Sequence, residues 1–503
     1  MNGRKQYYLG AVVSYFAIAF NIIAGLIYTP WMVGKIGQSN YALYTLASSF
    51  ISIFLMDFGL SSAVSRFVAK YRAEGNEEKA DKVLGIVTKL YLVIDACILT
   101  SLIIIFFLLG EIYKGLTPNE LQIYKQLYII VATYSILSFP FMPLSGIISA
   151  YEKFIQLKLC DLCQKILTIV LVVIALFNNL GVAAVVTANA FSGIIIIIVK
   201  MIIIYWTTPI RYNIRVRDRI LLKEIFSFSV WTTVMSIAQR FVFNLAPTIL
   251  GIFSTSTEIA VFAPANTLEG YFYTFAAAVN GMFLAKISKY IVDNQKEKIF
   301  DLMVKIGRYQ LIILGLILVG FVCVGKDFMI LWMGTDYVAA WPCAILMFIP
   351  DLFIFTQQIA NTMAIAENQV KNIALGYIGM AALSGILSIL LCPAYGALGS
   401  SLAITSAYVF LYIYMNVIYY KKLKLDVFRF YKVCYFRHLP SIILSIVLGY
   451  YIANYLLLIS GWKGLLLKGI SICCIYLVFV LIFGLSKTEK KQVYYRLRRL
   501  IKY

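Results

Sequence analysis

An arginine near the middle of an apolar run has the clearest claim to chemistry in this 503-residue sequence. Arg240 lies within the stretch 225–252, where neither end is within easy reach of its side chain. Thr233, Ser236 and Asn244 stand at helical spacing from it, so an α-helix there carries one polar stripe that includes Arg240. A guanidinium presents forked donors that match the oxygens of a phosphate, so the chemistry expected of the stripe is recognition of an anion. A similar stripe of Ser14, Asn21 and Tyr28 runs along the first apolar stretch, and Pro30 and Pro247 follow the two stripes. On 258–284, Asn266, Glu269, Tyr273 and Asn280 share a face, with Glu269 near mid-depth. Glu269 reads as a proton or cation site, or as the ion-pair partner of Arg240 in a purely structural role. Asp57 and Arg66 lie toward one end of 41–64, too far apart to touch along one straight helix. Asp95 and Asp351 are less central candidates.

Bond-making chemistry has no comparable support. The sequence has no GxxxxGK[ST], HExxH or GxSxG, so no nucleotide cradle, zincin helix or nucleophile elbow is present. The single histidine, His438, follows Cys434 at helical spacing and reads as an interfacial residue, not a metal ligand. Nine cysteines, an odd and scattered set, make no disulfide framework, and Cys160 and Cys163 form a CxxC without a second pair. No catalytic residue, metal site or cofactor is expected, and the chain does not read as an enzyme. A membrane glycosyltransferase is a weak alternative, because the loops are too short to gather its acidic residues.

The elements that must position these residues are spanning helices. The chain is 62% hydrophobic and 13% charged, about half the charge of an ordinary soluble domain. Its mean hydropathy is +0.86. Apolar stretches long enough to cross a bilayer recur at 7–31, 41–64, 86–110, 122–149, 157–177, 181–207, 225–252, 258–284, 306–325, 341–366, 373–392, 396–420, 438–459 and 464–485. The first is preceded by Arg4 and Lys5 but lacks a cleavage signature, so it reads as an uncleaved span. With the N-terminus inside, the alternate inside segments carry 34 lysines and arginines and the outside loops only 5. That asymmetry places both termini on the cytoplasmic face. It also turns the net charge of +21 into a topology and anionic-lipid signal, not a nucleic-acid footprint.

The sequence repeats weakly. AKYRAEGNEEKADKVLGIVTKLY from Ala69 aligns with SKYIVDNQKEKIFDLMVKIGRYQ from Ser288, pairing Lys70 with Lys289, Glu74 with Asp293 and Lys79 with Lys298. Glu152 and Gly181 fall on Glu367 and Gly396 at a slightly shorter offset. The unit is about six helices, so both copies share one topology, as in transporters with a central site near mid-membrane. The expected fold is all-α: a polytopic membrane protein of about fourteen transmembrane helices, two pseudo-symmetric six-helix lobes plus two C-terminal helices. The expected domains are 1–210 for the first lobe, 211–424 for the second, and 425–503 for the last two helices and a basic tail. The two polar stripes are expected to line a hydrated cavity.

The segment YTPWMVGKIGQSNYALYTLASSFISIFLMDFGLSSAVSRFVAKYRAEG, Tyr28 to Gly75, resembles the early region of bacterial polysaccharide flippases, the O-antigen (Wzx-type) and capsule-repeat translocases. The matching positions are Gly34, Tyr41, Asp57, Gly59, Leu60 and Arg66, and Ala42 stands where such proteins often carry glycine. The span count and lobes resemble the wider multidrug/oligosaccharidyl-lipid/polysaccharide exporter superfamily. The resemblance implies translocation of an undecaprenyl-pyrophosphate-linked oligosaccharide across the bacterial cytoplasmic membrane. Arg240 would then meet the pyrophosphate or an acidic sugar, with Asn21, Asn244, Ser236, Asn266 and Tyr273 around the cargo. Glu269, Asp57 and Arg66 would be coupling or ion-pair residues, and a polysaccharide polymerase is a further expected partner. A cation-coupled multidrug exporter of the same fold is the alternative.

Overall fold

The computed structural model describes residues 3–55, 58–210, 218–277 and 283–484. Among them the chain is helical with no strand. The first half comprises α1 (Gly3–Ile36), α2 (Gln38–Phe54), α3 (Leu60–Ala73), α4 (Glu77–Ile112), α5 (Pro118–Ser138), α6 (Pro143–Ala150), α7 (Phe154–Phe177) and α8 (Gly181–Thr207). The second comprises α9 (Arg219–Phe253), α10 (Ser256–Ala277), α11 (Leu284–Val292), α12 (Lys296–Trp332), α13 (Ala340–Thr356), α14 (Gln358–Ala366), α15 (Val370–Lys421), α16 (Val427–Tyr451) and α17 (Gly461–Phe479).

The described helices include 11 that are long and apolar enough to span a bilayer. The difference from the expected fourteen has three sources. α15 contains two of the expected spans, turned at Gly396 with φ 52 and ψ −130. The span expected at 41–64 is divided into α2 and α3, and the span expected at 258–284 includes residues outside the described ones, so neither counts as one long apolar helix. The fold is thus the all-α, multi-pass membrane architecture that the apolar runs require, with the helix interruptions as its new feature.

Two compact units contain these helices. One is Met1–Ala263 with Tyr377–Ile404; the other is Pro264–Gly376 with Thr405–Tyr503. In the first, α2 packs on α5 and α9, α7 on α1 and α8, and α3 on α4 and α6. The α3–α6 approach is close because Gly146 has no side chain: a Cβ there would stand 2.4 Å from the Ser61 carbonyl oxygen. Polar caps finish the helix starts. Thr117 and Glu120 form a capping box at α5, and the Asp218 carboxylate accepts the Ile220 and Leu221 amides at α9.

Gly396 is a second position only glycine suits. Its φ/ψ lie outside the regions open to other residues, and a Cβ would fall 2.2 Å from a Glu258 carboxylate oxygen. That oxygen accepts the Ala397 amide at 2.7 Å and so caps the helix that leaves the turn. Gly396→Ala is expected to cost about 2–4 kcal/mol, from backbone strain plus the displaced cap. A lowered melting temperature in detergent, relieved little by Glu258→Gln, is the expected measurement.

The loops support the repeat. After α3, the Gly75 amide bonds to the Arg72 carbonyl and the Asn76 amide to that of Tyr71; after α11, Asn294 and Gln295 bond to Ile291 and Tyr290 in the same way. Gly75 and Asn294 both have positive φ, 71 and 54. The equivalent turns after α6 and α14 pair Glu152 with Asn368, both again positive, one residue beyond the sequence alignment to Glu367. These are left-handed helix terminators in corresponding places.

In the second unit α12 is the centre, packed by α13, α16 and α17. The α16–α17 pair docks through specific contacts. The Tyr476 hydroxyl donates to the Ile312 carbonyl at 2.9 Å, over Gly315, where a Cβ would meet that hydroxyl at 2.6 Å. The Lys468 ammonium meets Asp327 at 2.7 Å, and Arg308 donates to the Gly484 carbonyl at 2.8 Å. His438 is buried against Gly484 with Nδ1 on the Cys434 carbonyl, so it is a packed core residue and not the interfacial one expected from its neighbours. Tyr476→Phe removes the bond and keeps the ring, and is expected to lower stability by about 1 kcal/mol in thermal unfolding.

Candidate functional site

α2 ends at Phe54 and α3 begins at Leu60, with Gly59 in the left-handed conformation at φ 65. The carbonyls in the last turn of a helix lack intrahelical partners, and inside a bilayer something must satisfy them. The polar stripe of α9 does so. Arg240 donates from a guanidinium nitrogen to the Ser52 carbonyl at 3.2 Å, and the Thr233 hydroxyl donates to the Phe58 carbonyl. Asn244 completes the seam: the Ser52 hydroxyl donates to its amide oxygen at 2.7 Å, while its own NH2 donates to the Arg240 carbonyl at 3.1 Å. The stripe inferred from spacing is therefore one face of one helix, laid against an interrupted neighbour.

Arg240 itself is exposed, and a guanidinium has five N–H donors, more than the Ser52 carbonyl can take. A cation near mid-span cannot face hydrocarbon cheaply, so its open side suits water or an anion. Ser236, one turn before it, is also exposed. Asn21 is half-buried on α1, and the Tyr28 hydroxyl farther along α1 is buried without a hydrogen-bond partner. Asp57 lies outside the described residues. Arg66, exposed on α3, has its guanidinium 5.9 Å from the Phe67 ring centre.

In the second unit, Glu269 on α10 is 3% exposed and Asp351 on α13 is 1% exposed. The two carboxyl groups lie within electrostatic reach of each other. Two acids buried together cannot both be charged cheaply, so the pair is suited to hold a proton. One oxygen of each, Oε1 of Glu269 and Oδ2 of Asp351, is buried with no partner. The buried Gln310 amide of α12 donates to the Ala276 carbonyl on α10 at 3.3 Å. Asn266 has a buried, unpartnered amide oxygen, and Tyr273 packs edge-on to Phe355 with ring centres 5.1 Å apart.

Spacing does not lead to several of these groups. The Ser52 and Phe58 carbonyls are backbone atoms and leave no trace in residue type. The Glu269–Asp351 contact joins separate helices, and only their shared status as acids within apolar runs points to it. Lys165 on α7 and Lys200 on α8 are further cations within spans.

A family model described as polysaccharide biosynthesis protein matches residues 10–281. No curated protein matches the sequence. Among solved structures, the lipid II flippase MurJ in an inward closed conformation superposes with a TM-score of 0.73 at 16% identity, over 95% of this chain and 98% of that one. An inward-facing multidrug resistance MATE family transporter of the MOP superfamily gives 0.64 at 15%, over 83% and 100%. A MOP superfamily transporter from Pyrococcus furiosus, described as having reversed polarity of its binding pocket, gives 0.52 at 15%, over 82% and 95%. At such identities the likeness is one of fold.

Proposed function

The chain belongs to the polysaccharide biosynthesis protein family, and from that premise we propose that it flips an undecaprenyl-pyrophosphate-linked oligosaccharide repeat unit across the bacterial cytoplasmic membrane for assembly of a surface polysaccharide. The observation that carries the reading is Arg240: an exposed guanidinium near mid-span, donating to a carbonyl of an interrupted helix. A pyrophosphate is the part of such a cargo that a bilayer excludes most strongly, and a forked cation is the side chain best matched to it. Ser236 and Asn244 lie on the same face and supply neutral donors. The lipid tail stays in the bilayer while the polar head passes.

The basic loops lie on the cytoplasmic face in this reading, with both termini, and meet anionic lipid there. A polymerase that consumes the exported units is the natural partner. Nothing in the cycle makes or breaks a covalent bond. The Glu269–Asp351 pair takes up and releases the proton that couples transport to a gradient.

The buried acid pair also favours a second reading, cation-coupled export of a drug-like cation. One experiment separates the two: a strain lacking the protein is complemented with it, and lipid-linked repeat units and drug tolerance are both measured. Clearance of accumulated lipid-linked units supports the flippase. Unchanged accumulation with raised drug tolerance supports the exporter and removes the first reading.

A further inference from the structure

A cavity of about 290 Å3 lies inside the first unit, walled by α3, α5, α6, α7 and α8. Its polar lining is Lys200, Ser145, Ser61, Ser138, Tyr134 and Gln164. That set supplies an ammonium, four hydroxyls and an amide, and no carboxylate. The Lys200 ammonium donates to the Ser145 hydroxyl at 3.2 Å, which engages one of its three protons. No ion pair to Lys200 exists among the described residues; the acid on the facing stretch of α7, Asp161, is paired with Lys158 at 3.4 Å. Gln164 makes no hydrogen bond among the described residues. Ser61 and Ser138 donate to the Met142 and Ser135 carbonyls, at 3.1 and 3.2 Å, so their oxygens stay in place as the wall of the cavity.

The space is also kept open by design of the backbone. Gly193 on α8 faces the Tyr134 hydroxyl, and a Cβ there would stand 2.1 Å from it. The hydroxyl end of Tyr134 therefore lies close against α8. Lys200 is seven residues before the end of α8, in the third of that helix nearest a loop rich in arginine, and Ser145 is five residues before the end of the short α6. An ammonium without a carboxylate at that depth is costly unless an anion completes it. Pockets of this kind between spanning helices suit the phosphate of a headgroup.

We propose that this cavity is a phosphate-binding site, in which Lys200 supplies the charge and Gln164 and Ser145 orient the oxygens. Arg240 does not line the cavity, and the proposal does not depend on which cargo the protein carries. The phosphate comes from an inner-leaflet phospholipid headgroup or from a soluble phosphate, and two measurements on the full-length protein distinguish them. Native mass spectrometry from nanodiscs counts retained phosphatidylglycerol against phosphatidylcholine. Calorimetric titration in neutral detergent reads inorganic phosphate. In one or both, Lys200→Met is expected to bind at least about tenfold more weakly than wild type, the loss of one charge-assisted bond. Gln164→Leu weakens binding less, Lys200→Arg retains most of it, and Lys158→Met, which removes a neighbouring surface charge, changes nothing. Lipid retention alone assigns the headgroup; phosphate affinity without lipid assigns the soluble source. The proposal is overturned if wild type binds neither probe, or if Lys200→Met and Gln164→Leu both bind as wild type does. Should Lys200→Met fail to fold, the Gln164→Leu and Lys200→Arg pair decides alone.

Discussion

Cells carrying Arg240→Ala are expected to lose surface polymer while the protein remains in the membrane, and lipid-linked repeat units should accumulate. Removing one partner of a desolvated, hydrogen-bonded charge pair costs about 2–5 kcal/mol, or at least about thirtyfold in the rate of export. The fold should survive. In the structure the guanidinium bonds to the Ser52 carbonyl at 3.2 Å, and a single such bond is worth about 1 kcal/mol. Arg240→Lys keeps the charge and loses the fork, so it belongs between wild type and alanine. Quantifying lipid-linked units by mass spectrometry beside protein level by blot separates a transport defect from an assembly defect. Normal export by Arg240→Ala would remove the pyrophosphate reading altogether.

The second large effect is expected at the acid pair. Asp351→Asn and Glu269→Gln each preserve the shape of the contact and let an amide take the place of the shared proton. Each should leave the protein folded while transport in proteoliposomes ceases to respond to an imposed pH gradient, with the gradient-driven rate falling at least about tenfold. Because the two buried acids act as one electrostatically linked unit, the double variant should be no worse than either single one. Additive losses would show that the two residues act separately. A Glu269→Ala substitution is the less useful probe, since it leaves the Asp351 carboxyl buried and without its partner.

The spans and the asymmetry of the loops were readable from the residues because both follow from the bilayer itself. Hydrocarbon demands long apolar runs, and the cytoplasmic surface collects lysine and arginine. Arg240 was readable for the same reason, as a cation where none is cheap. The role of its helix face was only half readable. Thr233 and Arg240 at matching spacing define a stripe, but what they bond to are main-chain carbonyls at the end of α2 and in the turn before α3, and an apolar run such as ISIFLMDFGL does not announce that its helix stops. Gly59 was the sole hint. Lys200 was hidden differently: its neighbours on both sides are apolar, so no stripe draws attention to it, and only the packing of three other helices supplies its hydroxyl neighbours.

The acid pair shows a third limit. Glu269 and Asp351 sit on helices with others between them in the chain, and each alone reads equally well as an ion-pair partner or a proton site. Burial of both, with each other as partner, favours the second. The repeat behaved better than its residue identities suggest. Left-handed residues close corresponding helices after α3 and α11 and after α6 and α14, because a sharp turn imposes the same backbone on both copies whatever side chains have since diverged.

The division of the chain has a consequence for its birth. The first compact unit takes in Met1–Ala263 but also Tyr377–Ile404, a piece made only after more than a hundred further residues. During synthesis the early helices must therefore wait in the membrane, incompletely packed, while much of the second unit is inserted. The late piece arrives already folded back on itself at Gly396, where Glu258, from the older part of the chain, receives it by capping Ala397. A gene cut between the two apparent halves would deliver the first unit without its late piece, and a ribosome stalled before residue 404 would leave that unit open to the proteases that police unfinished membrane proteins.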